Sequence, residues 1–120
     1  MRDFKKLAAW QKSRELVNNI YEVTKKFPKE EVFGLTNQVR KSAVSITSNI
    51  AEGAGRSSNK EFKNFLEAAN SSAFELETLL ILATDQGYFW KSDLEILAEK
   101  IHEIQKLIHG NIKPSKSKRA

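Results

Sequence analysis

Ser42-Ala43-Val44-Ser45-Ile46-Thr47-Ser48-Asn49-Ile50-Ala51 is a run of ten residues without a single charge. Val39, Ala43, Ile46 and Ile50 recur at spacings of four, three and four, the stripe of an α-helix. The other sides carry Ser, Thr, Ala and Val where a solvated helix carries Lys and Glu. A helix uncharged all round is covered on more than one side. The run is too short and too rich in hydroxyls to span a bilayer. Its small side chains let other backbones approach closely, so the sequence predicts an inner helix packed by its own bundle and by another subunit. Val44, Thr47, Ser48 and Ala51 are the expected oligomer interface.

The surrounding chain sets bounds. Its 120 residues suit one domain, expected over 1–112. There is no Cys, so disulfides and thiolate chemistry are excluded, and a cytoplasmic location is expected. The first residues lack an apolar secretory core, and no apolar run is long enough for a membrane helix, so no membrane partner is expected. Net charge is +5, unevenly spread. Residues 1–56 hold 11 Lys/Arg against 6 Asp/Glu, and residues 57–110 hold 5 against 9. A basic half and an acidic half fit head-to-tail self-association, a polyanion site, or ordinary solvated helix faces.

Outward from the central run, four helices are predicted, at about 4–27, 35–52, 59–86 and 93–109. On the first, Leu7, Trp10, Val17, Ile20, Tyr21, Thr24 and Phe27 share a face, and Pro28 ends it. Gly53 or Gly55 is expected to supply a left-handed cap closing the second. Ser58 with Glu61 forms a capping box for the third. That helix buries Phe62, Phe65, Leu66, Ala69, Ala73, Leu76, Leu80 and Ala83, and Gly87 stops it. A second capping box, Ser92 with Glu95, opens the fourth, whose face is Leu94, Leu97, Ala98, Ile101, Ile104 and Ile108, and Gly110 ends it. Residues 113–120 lack periodicity and read as a disordered basic tail. Short connectors between four helices predict an all-α, antiparallel up-down-up-down bundle.

Chemistry is sparse. Gly53-Ala54-Gly55-Arg56 resembles a phosphate-cradling loop, yet no strand precedes it and the Gly-Lys-Ser/Thr ending is missing. Glu99 and His102 form one Glu-x-x-His, whereas a di-iron bundle needs two plus further carboxylates. The hydroxyls of Ser42, Ser45, Thr47 and Ser48 have no base near them in sequence and are expected to bond back to carbonyls one turn earlier. No cofactor, metal or enzymatic activity is expected.

Residues 38–53, with Ser45-Ile46-Thr47-Ser48-Asn49-Ile50-Ala51-Glu52-Gly53 at their centre, resemble the signature helix of the bacterial rRNA intervening-sequence proteins. Leu7-Ala8-Ala9-Trp10-Gln11-Lys12, Lys26-Phe27-Pro28-Lys29-Glu30-Glu31 with Gly34-Leu35-Thr36, and Glu75-Leu76-Glu77-Thr78 agree with it as well. Thr47 departs from the pattern, since family members often carry Pro there. Asn70-Ser71-Ser72 departs too, where a Gly-Ser pair is common. The family is similar to the accessory proteins of diversity-generating retroelements. The resemblance therefore implies an antiparallel four-helix bundle, a homopentamer, nucleic-acid binding and a protein partner such as a reverse transcriptase.

The function expected is a non-enzymatic, oligomeric adaptor that binds RNA or DNA with low specificity through Lys5, Lys6, Lys12, Arg40, Lys41 and Arg56. The alternative is a homo-oligomeric protein–protein scaffold.

Overall fold

Leu7 decides where the first long helix begins. Asp3 accepts the Lys5 N–H at 3.1 Å and closes a separate 3₁₀ turn over Phe4–Lys6. Leu7 is then extended, with φ −75° and ψ 126°, and α1 follows over Ala8–Thr24. The single helix predicted over 4–27 is thus shorter at both ends. At its far end Pro28 keeps Phe27 out of the helical region, and Lys25–Phe27 close as turns.

The computed structural model of the chain describes residues 2–112, so the predicted tail lies outside the described residues. A 3₁₀ turn at Lys29–Glu31 leads to α2 (Leu35–Ala54), then α3 (Asn59–Asp85) and α4 (Lys91–Ile112). Among the described residues there are four α-helices and no strand, and no helix is long and apolar enough to cross a membrane.

The helices form a four-helix bundle measuring 53 × 25 × 19 Å. Each packs against the two beside it in the cycle α1, α2, α3, α4, and the diagonal pairs make no close backbone approach. The most extensive contact is between α2 and α3. The core is one cluster in which Val39, Ile46, Ile50, Leu66, Leu76, Leu80 and Ile101 are fully buried. Losing one of these leucines or isoleucines to Ala costs about 2–5 kcal/mol at such sites. On α1 the buried stripe is Ala9, Ser13, Leu16, Ile20 and Thr24. It is rotated from the predicted one, and Tyr21 stays 41 % exposed. Ser13 can enter the core because its hydroxyl donates to the Trp10 carbonyl at 2.9 Å.

The glycines correct two expectations. Gly53 lies inside α2 and is buried, and Gly55 is right-handed, with φ −80°. Neither supplies a left-handed cap. Gly53 is needed for close approach: a Cβ there would stand 2.7 Å from Phe65 Cβ and 3.2 Å from Phe62 Cδ1. Gly110 lies within α4, which continues to Ile112. Gly87 does terminate α3, at φ 80°. Its N–H reaches the Thr84 carbonyl, while the Tyr88 N–H reaches that of Ala83, the paired bonds of a Schellman end.

Ser58 caps α3 as predicted, accepting the Glu61 N–H at 3.1 Å. Ser92 does not cap α4, which starts at Lys91, with the Leu94 N–H on the Trp90 carbonyl. At this end of the bundle Tyr88 Oη donates to Glu31 Oε2 at 3.0 Å, tying the α1–α2 connector to the α3–α4 connector. Phe27 packs between, its ring centre 5.9 Å from Tyr88 and 6.3 Å from Phe89. At the opposite end the Arg2 N–H reaches the Ala54 carbonyl.

Candidate nucleic-acid interface

The six basic residues singled out in the sequence fall into three separate places. Lys5 and Lys6 sit exposed on the first 3₁₀ turn. Phe4 holds that turn to the bundle, edge-on against Trp10 at 5.1 Å, and Gln11 Nε2 bonds the Lys5 carbonyl at 2.8 Å. The turn lies at the same end as Arg56, because residue 2 is bonded to Ala54.

Arg56 follows α2 directly, and its guanidinium carbon lies 4.7 Å from the Phe65 ring centre. Arg2 joins it there. The Arg2 guanidinium carbon is 4.0 Å from the centre of the Phe62 ring, Nη1 reaches the Arg56 carbonyl at 3.4 Å, and Nη2 bonds Asn59 Oδ1. Sequence reading missed Arg2. It precedes the first periodic residue, and no spacing rule places an N-terminal residue against a turn more than fifty positions later.

Arg40 and Lys41 lie elsewhere. They stand about 21 Å along α2 from its C-terminal end, at 1.5 Å per residue. Arg40 is half-buried, its Nε donating to Thr24 Oγ1 at 2.8 Å and its guanidinium 4.6 Å from the Tyr21 ring centre. Lys41 is exposed beside it. With Tyr21, Asn37, Val44, Ser45 and Ser48 they border an open groove of about 500 Å³. Lys12 belongs to neither group. It faces α4, with Nζ 3.8 Å from Glu103 Oε1, so its charge is locally compensated.

The four predicted interface residues share the outward part of α2. Val44 is 41 % exposed and Ser48 is exposed, while Thr47 and Ala51 are half-buried. Thr47 Oγ1 is shut off from solvent and has no hydrogen-bond partner. Its neighbours are satisfied: Ser42 Oγ bonds the Val39 carbonyl, Asn49 Nδ2 bonds that of Ser45, and Ser45 Oγ meets Ser72 Oγ of α3 at 2.8 Å. Ser42 and Ser48 bond back to carbonyls of α2 as expected, whereas Ser45 instead joins α2 to α3 and Thr47 bonds neither.

His102 Nε2 pairs with Glu77 Oε1 at 2.9 Å, and Glu99 is exposed apart from them. Among the described residues no three His, Asp or Glu side chains converge as metal ligands. The bond to the Glu31 carboxylate, aided by burial, raises the Tyr88 phenol above its usual 10.0.

This arrangement defines an all-α bundle with Arg2, Lys5, Lys6 and Arg56 brought together at one end. Comparison with known proteins then places it. The family model described as 23S rRNA-intervening sequence protein matches residues 5–110, and the chain belongs to that family. It is similar to a crystal structure of a protein of unknown function from the S23 ribosomal protein family of Bacteroides thetaiotaomicron. The two share 29% identity over 89% of this chain and 100% of that one, with a TM-score of 0.82. No curated protein matches.

Proposed function

We propose that this chain is a non-enzymatic, low-specificity nucleic-acid-binding adaptor that works as a homopentamer of antiparallel, up-down-up-down bundles. The observation that carries the binding half is the gathering of Lys5, Lys6 and Arg56, with Arg2, at one bundle end. Among the described residues none of these forms an ion pair with a carboxylate. The antiparallel order is supported by the joining of the two odd connectors through Tyr88 and Glu31, and by residue 2 lying against the end of α2. Assembly is supported by the charge-free outward part of α2. Five copies of a +5 chain carry about +25, enough for salt-sensitive attraction to phosphates. Phe62 is buried and Phe65 half-buried, and each lies against an arginine instead of standing open to stack a base, so contacts fall on phosphates and specificity is low. A reverse transcriptase is the protein partner that the likeness to retroelement accessory proteins brings.

A filter-binding titration of a single-stranded RNA oligonucleotide across a salt series tests this reading. Affinity falls steeply with salt if it holds. Binding absent at low salt, or indifferent to salt, overturns it.

One observation favours a second reading, a protein–protein scaffold. Phe74, Ile81 and Leu82 on α3 are 59 %, 43 % and 45 % exposed, among exposed Glu67, Glu75 and Asp85. That acidic, apolar surface complements the basic α2 groove of another copy. Reversing Arg40 and Lys41 to Glu separates the two readings. Lost RNA binding with assembly intact supports the adaptor, and lost assembly supports the scaffold.

A further inference from the structure

We propose that Arg2 and Arg56 form a two-pronged clamp for consecutive phosphodiesters of a single-stranded nucleic-acid backbone. The clamp rests on the adaptor reading and gives it an address. Phe62 and Phe65 are three residues apart, hence one turn apart on neighbouring sides of α3. A guanidinium lies on each ring, at 4.0 and 4.7 Å. A ring against a guanidinium restrains it without using its N–H donors, so Arg56 keeps its edge and Arg2 keeps the N–H groups its other two bonds do not take, open to an oxyanion. Arg2 is fixed further by its bonds to Asn59 and to the Arg56 carbonyl.

The Arg2 Nη1 bond to the Arg56 carbonyl keeps both arginines at one bundle end, and two like charges brought to one end favour an anion there. The carboxylates nearest in sequence do not supply it. Asp3 accepts the Lys5 N–H and Glu61 accepts from the Ser58 hydroxyl at 3.2 Å, and among the described residues no carboxylate, Glu52 included, forms an ion pair with Arg2 or Arg56. The start of α3 adds partial positive charge, since Ser58 caps the N–H of Glu61 and leaves those of Asn59 and Lys60. Exposed Lys5, Lys6, Lys60 and Lys63 extend the positive surface beyond what one small anion needs, which favours a chain of phosphates.

The test uses the full-length chain and two probes, a single-stranded RNA oligonucleotide and inorganic tripolyphosphate. For RNA, the slope of log affinity against log salt should fall by about 0.7 in Arg2→Gln and again in Arg56→Gln, one phosphate contact each. Arg56→Lys, which keeps the charge, should retain most of the slope, and Lys12→Gln should leave it unchanged. Tripolyphosphate should raise the melting temperature of the wild type but not of the double Gln variant. RNA binding with an unaltered slope in the double variant overturns the clamp and leaves the adaptor standing. If RNA fails to bind at low salt, the adaptor reading falls. The clamp then falls with it; where RNA does bind, equal tripolyphosphate shifts in the wild type and the double variant also overturn the clamp.

Discussion

Replacing Gly53 by Ala tests whether the α2–α3 crossing is as close as it stands here. The added methyl would lie 2.7 Å from Phe65 Cβ, 3.2 Å from Phe62 Cδ1 and 3.2 Å from the Phe62 carbonyl oxygen. Phe65 Cβ is rooted in the α3 backbone, so no rotamer change relieves the contact and the helix itself must retreat. Overpacking of this kind costs about 1–3 kcal/mol, and a backbone-rooted clash belongs at the upper end. Ala gains about 1 kcal/mol over Gly in a helix interior. The net is a destabilisation of about 2 kcal/mol. At ~4 °C per kcal/mol for a chain of this size, the melting midpoint falls by about 8 °C. Gly110→Ala is the matched control. It also lies within a helix, and nothing stands within 4 Å of its added methyl, so it should gain about 0.5 kcal/mol. Thermal melts at equal protein concentration compare the two. A Gly53→Ala protein as stable as the wild type would refute the close crossing.

Other outcomes follow from single contacts. Gly87→Ala should lose about 1–2 kcal/mol by forcing an L side chain to φ 80°, read in the same melts. Ser72→Ala should cost about 1 kcal/mol by removing the α2–α3 bond and leaving Ser45 Oγ only its bond from Asn49 Nδ2, while the double change of Ser45 and Ser72 to Ala costs less than the sum of the two singles. In a Tyr21→Phe background, absorbance titration follows Tyr88 alone, and it should ionise above the usual 10.0. A raised folded-state value means the Tyr88–Glu31 bond contributes fully below pH 10 and is lost as pH rises through the folded value. Glu31→Gln should bring the titration back toward 10.

How much of this was legible in the sequence differs by helix. The stripe of α3 reads nearly whole, since Phe62, Leu66, Ala69, Ala73, Leu76, Leu80 and Ala83 are all buried, while the predicted Phe65 is only half-buried under Arg56 and the buried Leu79 lies outside the predicted stripe. That of α1 does not, because its buried positions include Ala9 and Ser13, whose burial follows from a close neighbour and a local hydroxyl bond. Trp10 and Tyr21 outweigh them in any hydropathy pattern yet sit at the edge. Glycine is ambiguous by nature. Gly53 and Gly87 look alike in sequence, but one allows two helices to touch and the other reverses the chain. Capping at Ser58 was visible because it is local, and Ser92 shows the same pattern already inside a helix. Charge was readable as a total but not as a place. Lys12 is paired across the bundle, Arg40 is drawn onto Tyr21, and Arg2 completes the basic end.

The central claim is that the outward part of α2 is covered by other copies of the chain. Light scattering on the purified protein, with Val44→Glu beside it, tests that most directly. Val44 is 41 % exposed in one chain, so the added charge is tolerated by a lone bundle but strands a carboxylate in an interface. The account predicts a wild-type particle of five times the 13.7 kDa chain mass, and a smaller, still helical Val44→Glu species. A wild-type mass of one chain at high concentration, or a Val44→Glu particle of undiminished size, would contradict it.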